Sequence, residues 1–244
     1  MKKHNFSAGP AILPQEVIQG AAEAVLELDD IGLSLIEISH RSNEFKAIME
    51  EACDLALQIL GLEGKGYKAM YLQGGASMQF LMTAYNMLES KAGYVNSGTW
   101  STKAIKEAKF LGDVIELASS KDKNFNYIPK GYDIPNDLDY LHITSNNTIF
   151  GTQYKNLPET SVPLVADMSS DIFSRPLDYS KFDLFYAGAQ KNMGPSGVTL
   201  VIIKETAFNK VTRSIPSMLN YEIQANAGSM FNTPPVFPVY TVLL

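Results

Sequence analysis

Short apolar runs recur along this chain, and each of the clearest ends at a turn of small or polar residues that leads into a helix-like segment. Residues 67–72 read as a strand, Gln73-Gly74-Gly75-Ala76 as a turn and residues 77–88 as a helix. Residues 94–96 precede a helix predicted from 99 to about 110. Strands that alternate with helices favour an α/β fold in which a mostly parallel sheet carries helices on both faces.

The remaining elements follow from the spacing of apolar residues. Ser42 is placed to cap an amphipathic helix whose apolar positions run from Phe45 to Ile59, and Gly61 is placed to end it. The last residues, 239–244, read as the first turns of another helix. The further predicted strands are short apolar runs at 114–117, 140–144, 164–166, 184–187 and 198–203. In such a sheet, ligands collect at the carboxyl ends of the strands.

Charge and composition exclude several classes of function. The formal net charge is −6 and there is no basic run, which argues against a nucleic-acid surface. Cys53 is the only cysteine, so no intrachain disulfide forms and a reducing compartment is favoured. The first residues lack a secretory signal, and no apolar run is long enough to span a membrane. We therefore expect a cytoplasmic protein with no nucleic-acid or membrane partner.

The stretch Gly188-Ala189-Gln190-Lys191-Asn192-Met193-Gly194 sets one lysine between an apolar run and a glycine-rich turn. A lysine in such a pocket can lose its proton and form a Schiff base with an aldehyde. Earlier in the chain, another apolar run ends on Asp167. A Schiff-base lysine, together with an acid that keeps a pyridine nitrogen protonated, is the protein half of pyridoxal phosphate chemistry.

Three other places carry candidate ligands. The turn Gly74-Gly75-Ala76-Ser77 leads from a strand into a helix, where free N–H groups can hold a phosphate. Trp100, the sole tryptophan, follows a strand end and could stack on a pyridine ring or simply lie in the core. His40-Arg41 lies in a predicted loop, and arginine binds carboxylates and phosphates in a bidentate way. The three histidines show no metal-binding spacing, so no metal site is predicted.

With these residues assembled, the chain resembles the phosphoserine aminotransferase family, pyridoxal-phosphate enzymes of fold type I within aminotransferase class V. The resemblance runs in family order along essentially the whole chain. It is carried by Phe6-Ser7-Ala8-Gly9-Pro10-Ala11, Ser39-His40-Arg41-Ser42, Gln73-Gly74-Gly75-Ala76-Ser77, Gly98-Thr99-Trp100-Ser101, Asn146-Asn147-Thr148-Ile149-Phe150-Gly151, Ala166-Asp167-Met168-Ser169-Ser170, Gly188-Ala189-Gln190-Lys191-Asn192 and Asn232-Thr233-Pro234-Pro235.

The resemblance implies a role for each candidate. Lys191 would form the Schiff base with the cofactor and move the proton at the substrate's alpha carbon, while Asp167 would pair with the pyridinium nitrogen. Trp100 would stack on the ring, and Thr148 would bond near its phenolic oxygen. The implied phosphate ligands are Ala76, Ser77 and Gln190, joined by Asn232 and Thr233 from the neighbouring subunit of a homodimer. Arg41, with His40 beside it, would take a carboxylate or phosphate of the substrate.

The implied reaction moves an amino group between glutamate and 3-phosphohydroxypyruvate, giving O-phosphoserine and 2-oxoglutarate. It belongs to serine biosynthesis and, in many bacteria, also serves pyridoxine synthesis. The implied fold is the large domain of fold type I, a mostly parallel sheet of the seven-stranded type. We expect residues 1–15 to form an N-terminal segment and 16–244 the large cofactor-binding domain. Family members continue into a C-terminal small domain of about 100 residues, which is not part of this sequence.

Two alternatives stay open. The chain could be another class V aminotransferase, of the alanine–glyoxylate or serine–glyoxylate type, although His40-Arg41 favours a more anionic substrate. It could also bind the cofactor with little turnover, because a site that lacks one wall loses orientation before affinity. A cysteine desulfurase fits poorly, since the single Cys53 falls on a predicted helix rather than in a mobile loop.

Overall fold

The computed structural model describes residues 3–244. Within them the helices are α1 Gln15–Leu26, α2 Asn43–Ile59, α3 Gly75–Met87, α4 Thr99–Ala108, α5 Tyr221–Asn226 and α6 Val236–Leu243. The strands are β1 Tyr67–Leu72, β2 Lys91–Asn96, β3 Asp113–Ser119, β4 Tyr140–Thr144, β5 Asn146–Asn147, β6 Thr152–Gln153, β7 Leu164–Asp167, β8 Leu184–Gly188 and β9 Thr199–Lys204.

Seven of these strands form one sheet in the order β1-β9-β8-β7-β4-β2-β3, while β5 and β6 pair separately. Strand β9 runs antiparallel to both of its neighbours, and the pairs between β8, β7, β4, β2 and β3 are all parallel. The expectation of a mostly parallel, seven-stranded α/β sheet is therefore confirmed.

Both faces of the sheet are buried under helices. On β8, Phe185 and Ala187 point into a core that includes residues of α1, α2 and α6. Leu184 and Tyr186 point into a second core with residues of α3, α4 and α5. Because side chains alternate across a strand, a central strand covered on both faces has to be apolar throughout, and β8 is buried at every position.

Helix α2 begins and ends where the sequence predicts. The Phe45 N–H donates to the Ser42 hydroxyl at 3.3 Å, and Gly61 has the positive φ of +66° that often follows a helix end. Helix α3 begins at Gly75 rather than at the predicted Ser77. Gly74 adopts a left-handed conformation, with φ of +94°, that turns the chain into the helix directly after the strand.

Two helices were not predicted from the sequence. Helix α1 buries only Ala21 and Ala24, and no side chain of the described residues caps its start. Helix α5 is only 6 residues long and begins at Asn220, whose side chain accepts the Ile223 N–H. Neither omission changes the sheet.

No helix in the described part of the chain is both long and apolar enough to cross a membrane. Nor do residues 3–244 contain a group of three or more His, Cys, Asp or Glu that could hold a metal ion. Cys53 is a free, half-buried thiol on α2, and burial raises its pKa to about 12. That environment suits an inert packing residue.

Candidate active site

The candidate residues emerge at one edge of the sheet. Leu72 at the end of β1 and Gly188 at the end of β8 both pair with Thr199 of the strand between them. Asp167 at the end of β7 pairs with Thr144 on one side and Tyr186 on the other. Neighbouring strands lie about 4.8 Å apart, so the turn after β1 and the loop after β8 begin within about 10 Å of each other.

Lys191 lies in the loop between β8 and β9, with its amine directed at two of the predicted partners. The Nζ atom donates a hydrogen bond to the Thr148 hydroxyl at 2.7 Å and lies 4.9 Å from the centre of the Trp100 ring. Burial lowers the pKa of this amine, while the charge of Asp167 acts in the opposite direction. A lysine with a lowered pKa carries more of the neutral, nucleophilic form at neutral pH.

The loop that carries Lys191 is held by a bond between its two ends and by contacts with the N-terminal segment. Its ends are joined by the Ala189 N–H, which donates to the Val198 carbonyl at 3.0 Å. The N-terminal segment crosses over it, where the Ala11 N–H donates to the Gln190 carbonyl at 2.9 Å. A Cβ on Gly9 would lie 3.0 Å from Cγ of Lys191, so a larger residue there would press on the lysine side chain. These contacts hold the backbone of the lysine loop in place.

Asp167 is a buried carboxylate, 4 % exposed. Its Oδ1 accepts the Ser169 N–H at 2.9 Å and the Ser169 hydroxyl at 2.7 Å. Burial raises the pKa of Asp167, whereas the bonds from Ser169 and the charge of Lys191 lower it and Asp171 raises it. A buried acid of this kind gains most from a cationic partner, which a protonated pyridine nitrogen provides.

Trp100 stands on the first turn of α4, and that turn is fixed by side-chain bonds. The Ser101 hydroxyl accepts the N–H groups of Ser97 and Gly98 at 3.0 and 2.9 Å. The Asn147 amide donates to the Ser97 hydroxyl at 3.2 Å, which ties the loop carrying Thr148 to the turn carrying Trp100. A Cβ on Gly98 would come within 2.7 Å of Asn147 Oδ1, so any larger residue would displace the Asn147 side chain.

The predicted phosphate turn has the form of an anion site. No side chain caps the start of α3, and both glycines before Ala76 have positive φ. Ala76 is half-buried and Ser77 exposed, while Gln190 is half-buried beside Lys191. The first N–H groups of an uncapped helix attract anions. The turn after β1 carries Ala76 and Ser77, and the loop after β8 carries Gln190. Both strands end at the same edge of the sheet.

The segment holding Asn232 and Thr233 lies against this turn in the same chain. The Gln73 side chain donates to the Thr233 carbonyl, and the Asn232 amide donates to the same carbonyl at 3.4 Å. A cavity of about 240 Å³ adjoins the turn and is lined by residues that include Gln73, Met78 and Asn232. Both residues are thus near the turn after β1, and no bond connects them to Lys191 in the described residues.

His40 and Arg41 are not joined to the lysine cluster. Both lie in the turn before α2, where His40 is half-buried and Arg41 is exposed. Within residues 3–244, no ion pair or side-chain hydrogen bond connects them to Lys191, Thr148 or Asp167. The guanidinium of Arg41 is therefore available for an anionic ligand.

The other two arginines hold structure in place. Arg175 donates to the Tyr154 carbonyl at 2.8 Å, as expected for a residue that braces a turn. Arg213, expected at the surface, is instead half-buried. Its guanidinium donates to the carbonyls of Leu88 and Leu111, because the turns that follow α3 and α4 approach each other there.

Comparison with known proteins places the chain in a family. The aminotransferase class-V family model matches residues 3–243. The chain belongs to the class-V aminotransferases. A phosphoserine aminotransferase from Flavobacterium johnsoniae is 63 % identical over 246 residues, covering 100 % of this chain and 69 % of its own length.

Solved structures agree with that placement. A phosphoserine aminotransferase from Bacillus circulans subsp. alkalophilus is 46 % identical with a TM-score of 0.94, covering 98 % of this chain and 67 % of its own. A pyridoxal-phosphate-bound phosphoserine aminotransferase from Trichomonas vaginalis is 31 % identical with a TM-score of 0.92, covering 99 % and 69 %. The chain therefore spans about two thirds of the length of these class-V aminotransferases.

Pyridoxal phosphate is the cofactor of class-V aminotransferases, and the residues of this chain fit it. Asp167 is a buried acid whose hydrogen bonds all end on one oxygen, and Lys191 is a half-buried amine above an indole ring. The indole Nε1 of Trp100 is buried with no hydrogen-bond partner among the described residues, which suits a ring surrounded by a bound group. The uncapped start of α3 suits the phosphate.

Sequence reasoning assigned no role to three residues that shape this site. Ser169 bonds to Asp167, Asn147 joins the Thr148 and Trp100 loops, and Gly9 lies against Lys191. Ser169 had a readable signal, because a serine two residues after an aspartate often closes a local side-chain turn. The other two contacts join residues distant in sequence, and no local pattern announces them.

Proposed function

We propose that this class-V aminotransferase moves an amino group between glutamate and 3-phosphohydroxypyruvate, giving 2-oxoglutarate and O-phosphoserine, with pyridoxal phosphate as cofactor. One observation carries the proposal. The Lys191 amine bonds to Thr148 and contacts the Trp100 ring, and it is close enough for the charge of Asp167 to act on its pKa. Relatives named phosphoserine aminotransferase, 54–63 % identical over the whole chain, support the substrate. The reaction belongs to serine biosynthesis and, in many bacteria, to pyridoxine synthesis.

Lys191 provides the moving base of the mechanism. When bound, pyridoxal phosphate supplies an aldehyde for the amine and an electron-withdrawing ring that stabilises negative charge at the substrate's alpha carbon. The lowered pKa of Lys191 favours the neutral amine. With the cofactor bound, this amine would take the proton from the substrate's alpha carbon and pass it to the cofactor. Thr148 accepts a hydrogen bond from Nζ at 2.7 Å and so orients the amine.

Asp167 and Trp100 control the ring. With the cofactor bound, the Asp167 carboxylate would hold the pyridine nitrogen protonated, and its burial would keep water away from that ion pair. Trp100 offers an indole face beside the Lys191 amine, on which the cofactor ring would stack. We assign the phosphate to the N–H groups at Ala76 and Ser77 and to Gln190, on the basis of the uncapped helix start.

Arg41 and His40 are the proposed substrate ligands. An exposed guanidinium without an ion pair can take the carboxylate or phosphate of a dianionic substrate in a bidentate way. This preference separates phosphoserine from the substrates of alanine–glyoxylate and serine–glyoxylate enzymes.

The half-reaction tests the substrate. The protein loaded with pyridoxal phosphate is mixed with O-phosphoserine, glutamate or alanine, and the visible absorbance of the cofactor is followed. We expect phosphoserine and glutamate to convert the spectrum and alanine to leave it almost unchanged. Preferential conversion by alanine would assign the chain to another class V activity, and no conversion with any donor would leave a cofactor-binding protein without turnover.

We propose a homodimer in which Asn232 and Thr233 reach the phosphate of the neighbouring subunit. Exposed Met78, Met218 and Phe231, near the 240 Å³ cavity, support an apolar face for such a partner.

We also propose residues 16–244 as the large domain with 1–15 as a leading segment. A cytoplasmic location is supported by the single free cysteine.

A further inference from the structure

Ser169 connects the ends of β7 and β8, the strands that lead to Asp167 and Lys191. It follows Asp167 at the end of β7 and is 3 % exposed. Its hydroxyl donates to Asp167 Oδ1 at 2.7 Å and accepts the Gly188 N–H at 3.0 Å. Gly188 ends β8 and leads through Ala189 and Gln190 to Lys191. One buried hydroxyl thus joins the acid to the start of the lysine loop.

The bonds to Asp167 are asymmetric. Both the N–H and the hydroxyl of Ser169 end on Oδ1, and no hydrogen bond to Oδ2 occurs in the described residues. A carboxylate with one oxygen fixed by two donors cannot rotate without breaking both bonds. The second oxygen is thereby kept for another partner.

We propose that Ser169 is a positioning residue for the cofactor ring: it fixes the Asp167 carboxylate through Oδ1 so that Oδ2 meets the pyridine nitrogen. The inference rests on the cofactor role proposed for Asp167. The Gly188 N–H donates to the same hydroxyl. Because β7 and β8 are paired, this bond also fixes the distance between Asp167 and the start of the lysine loop. Such a support holds an active-site group in its working geometry.

The neighbouring Ser170 provides a matched control. Its hydroxyl also makes two hydrogen bonds, donating to the Asn146 carbonyl and accepting from the Asn146 amide, each at 2.9 Å. Neither bond reaches Asp167. The variants Ser169→Ala and Ser170→Ala therefore remove the same chemical group from adjacent positions.

The test uses two probes, pyridoxal phosphate and its carbocyclic analogue in which a C–H group replaces the ring nitrogen. Binding of each is measured by the fluorescence of Trp100, the only tryptophan. We expect the wild-type chain to prefer pyridoxal phosphate, and Ser169→Ala to reduce that preference by about tenfold, as for the loss of one hydrogen bond to a charged group. Ser170→Ala should keep the preference. In the Asp167→Asn background, Ser169→Ala should change it no further.

Each outcome decides the inference. Equal weakening of both probes by Ser169→Ala would show a merely structural role and overturn the inference, with the cofactor site intact. A wild-type chain that binds neither probe would overturn the proposed function itself. If Ser169→Ala does not fold, Ser169→Cys keeps nearly the same volume with a weak donor, and the same loss of preference is expected.

Discussion

The two halves of the candidate site are built differently. Lys191, Thr148, Trp100 and Asp167 are buried or half-buried, and hydrogen bonds or ring contacts connect them to one another or to the loops that carry them. Arg41 and Ser77 are exposed, and in the described part of the chain no hydrogen bond or ion pair joins them to those four residues. The proposed ring-binding half is thus organised by the core of this chain, whereas the proposed anion-binding half has exposed donors.

This difference predicts that ring chemistry responds to small changes in buried geometry. Binding of anionic substrates, by contrast, should depend on individual exposed charges. Variants of the first half should alter turnover and cofactor spectra, and variants of the second should alter substrate affinity.

The largest effect is expected from Lys191→Ala. Without the amine, no residue in the cluster can move the proton at the alpha carbon, so transamination should fall by at least about 10²–10⁴-fold. Initial rates with glutamate and 3-phosphohydroxypyruvate measure the loss. The matched control is Lys210→Ala, which removes an exposed lysine away from the site and should keep the wild-type rate. A Lys191→Ala variant with near wild-type activity would place the base elsewhere.

Asp167→Asn should have the next largest effect. The amide keeps the shape of the side chain but cannot hold the pyridine nitrogen protonated, so turnover should fall by about 10²–10³-fold, as for other preorganised electrostatic groups. The cofactor should still bind, since Trp100 and the phosphate turn remain. Wild-type turnover with an unchanged cofactor spectrum would show that Asp167 does not contact the ring.

Arg41→Ala and Arg213→Ala sharpen the comparison between an exposed and a structural arginine. Loss of the Arg41 guanidinium should raise KM for phosphoserine about 10–100-fold with little change in the free energy of unfolding. Arg213→Ala leaves the carbonyls of Leu88 and Leu111 without their donor and should lower the free energy of unfolding by about 1–3 kcal/mol. Urea unfolding and steady-state kinetics on both variants separate the two roles, and a reversed pattern would contradict them.

The smallest effect on activity is expected from His142, which lies on β4 and should act on stability instead. Its Nε2 shares a hydrogen bond with the Tyr186 hydroxyl at 2.8 Å, and burial lowers its pKa from 6.5 to about 3. The folded state therefore keeps His142 neutral below pH 6.5, while the unfolded state takes up a proton. Stability attributable to this residue should be lost as the pH falls from about 6.5 towards 3, by about 1.4 kcal/mol per pH unit.

Urea unfolding at pH 7 and pH 5 measures that slope. His142→Gln does not titrate and should flatten the slope, whereas His4→Gln removes an exposed histidine and should leave it unchanged. Equal slopes in wild type and His142→Gln would mean that other groups dominate the acid response.

The sequence predicted the central strands well because β4, β7 and β8 are covered on both faces. Strands buried on both faces are largely apolar, and the runs at β4 and β8 stand out against their polar turns. The same reasoning placed Asp167 and Lys191 at strand ends, where a parallel sheet gathers its ligands. It missed α1, whose buried face consists of two alanines.

The fine geometry of the site could not be read from the sequence, since it depends on contacts between distant segments. Asn147 bonds to Ser97, and Gly9 lies against Lys191, because the fold brings these loops together. The role of Arg213 was misjudged for the same reason: its acceptors belong to turns far away in the chain. Only Ser169 was accessible to a local rule.

The most direct test of this account is reductive trapping of the cofactor. The purified chain is incubated with pyridoxal phosphate, its visible spectrum is recorded, and borohydride reduction is followed by peptide mapping. The account predicts one stable adduct, on Lys191, which disappears in Lys191→Ala and persists in Lys210→Ala. A folded chain that gives no adduct, or one mainly on another lysine, would contradict the assignment of Lys191 and with it the proposed chemistry.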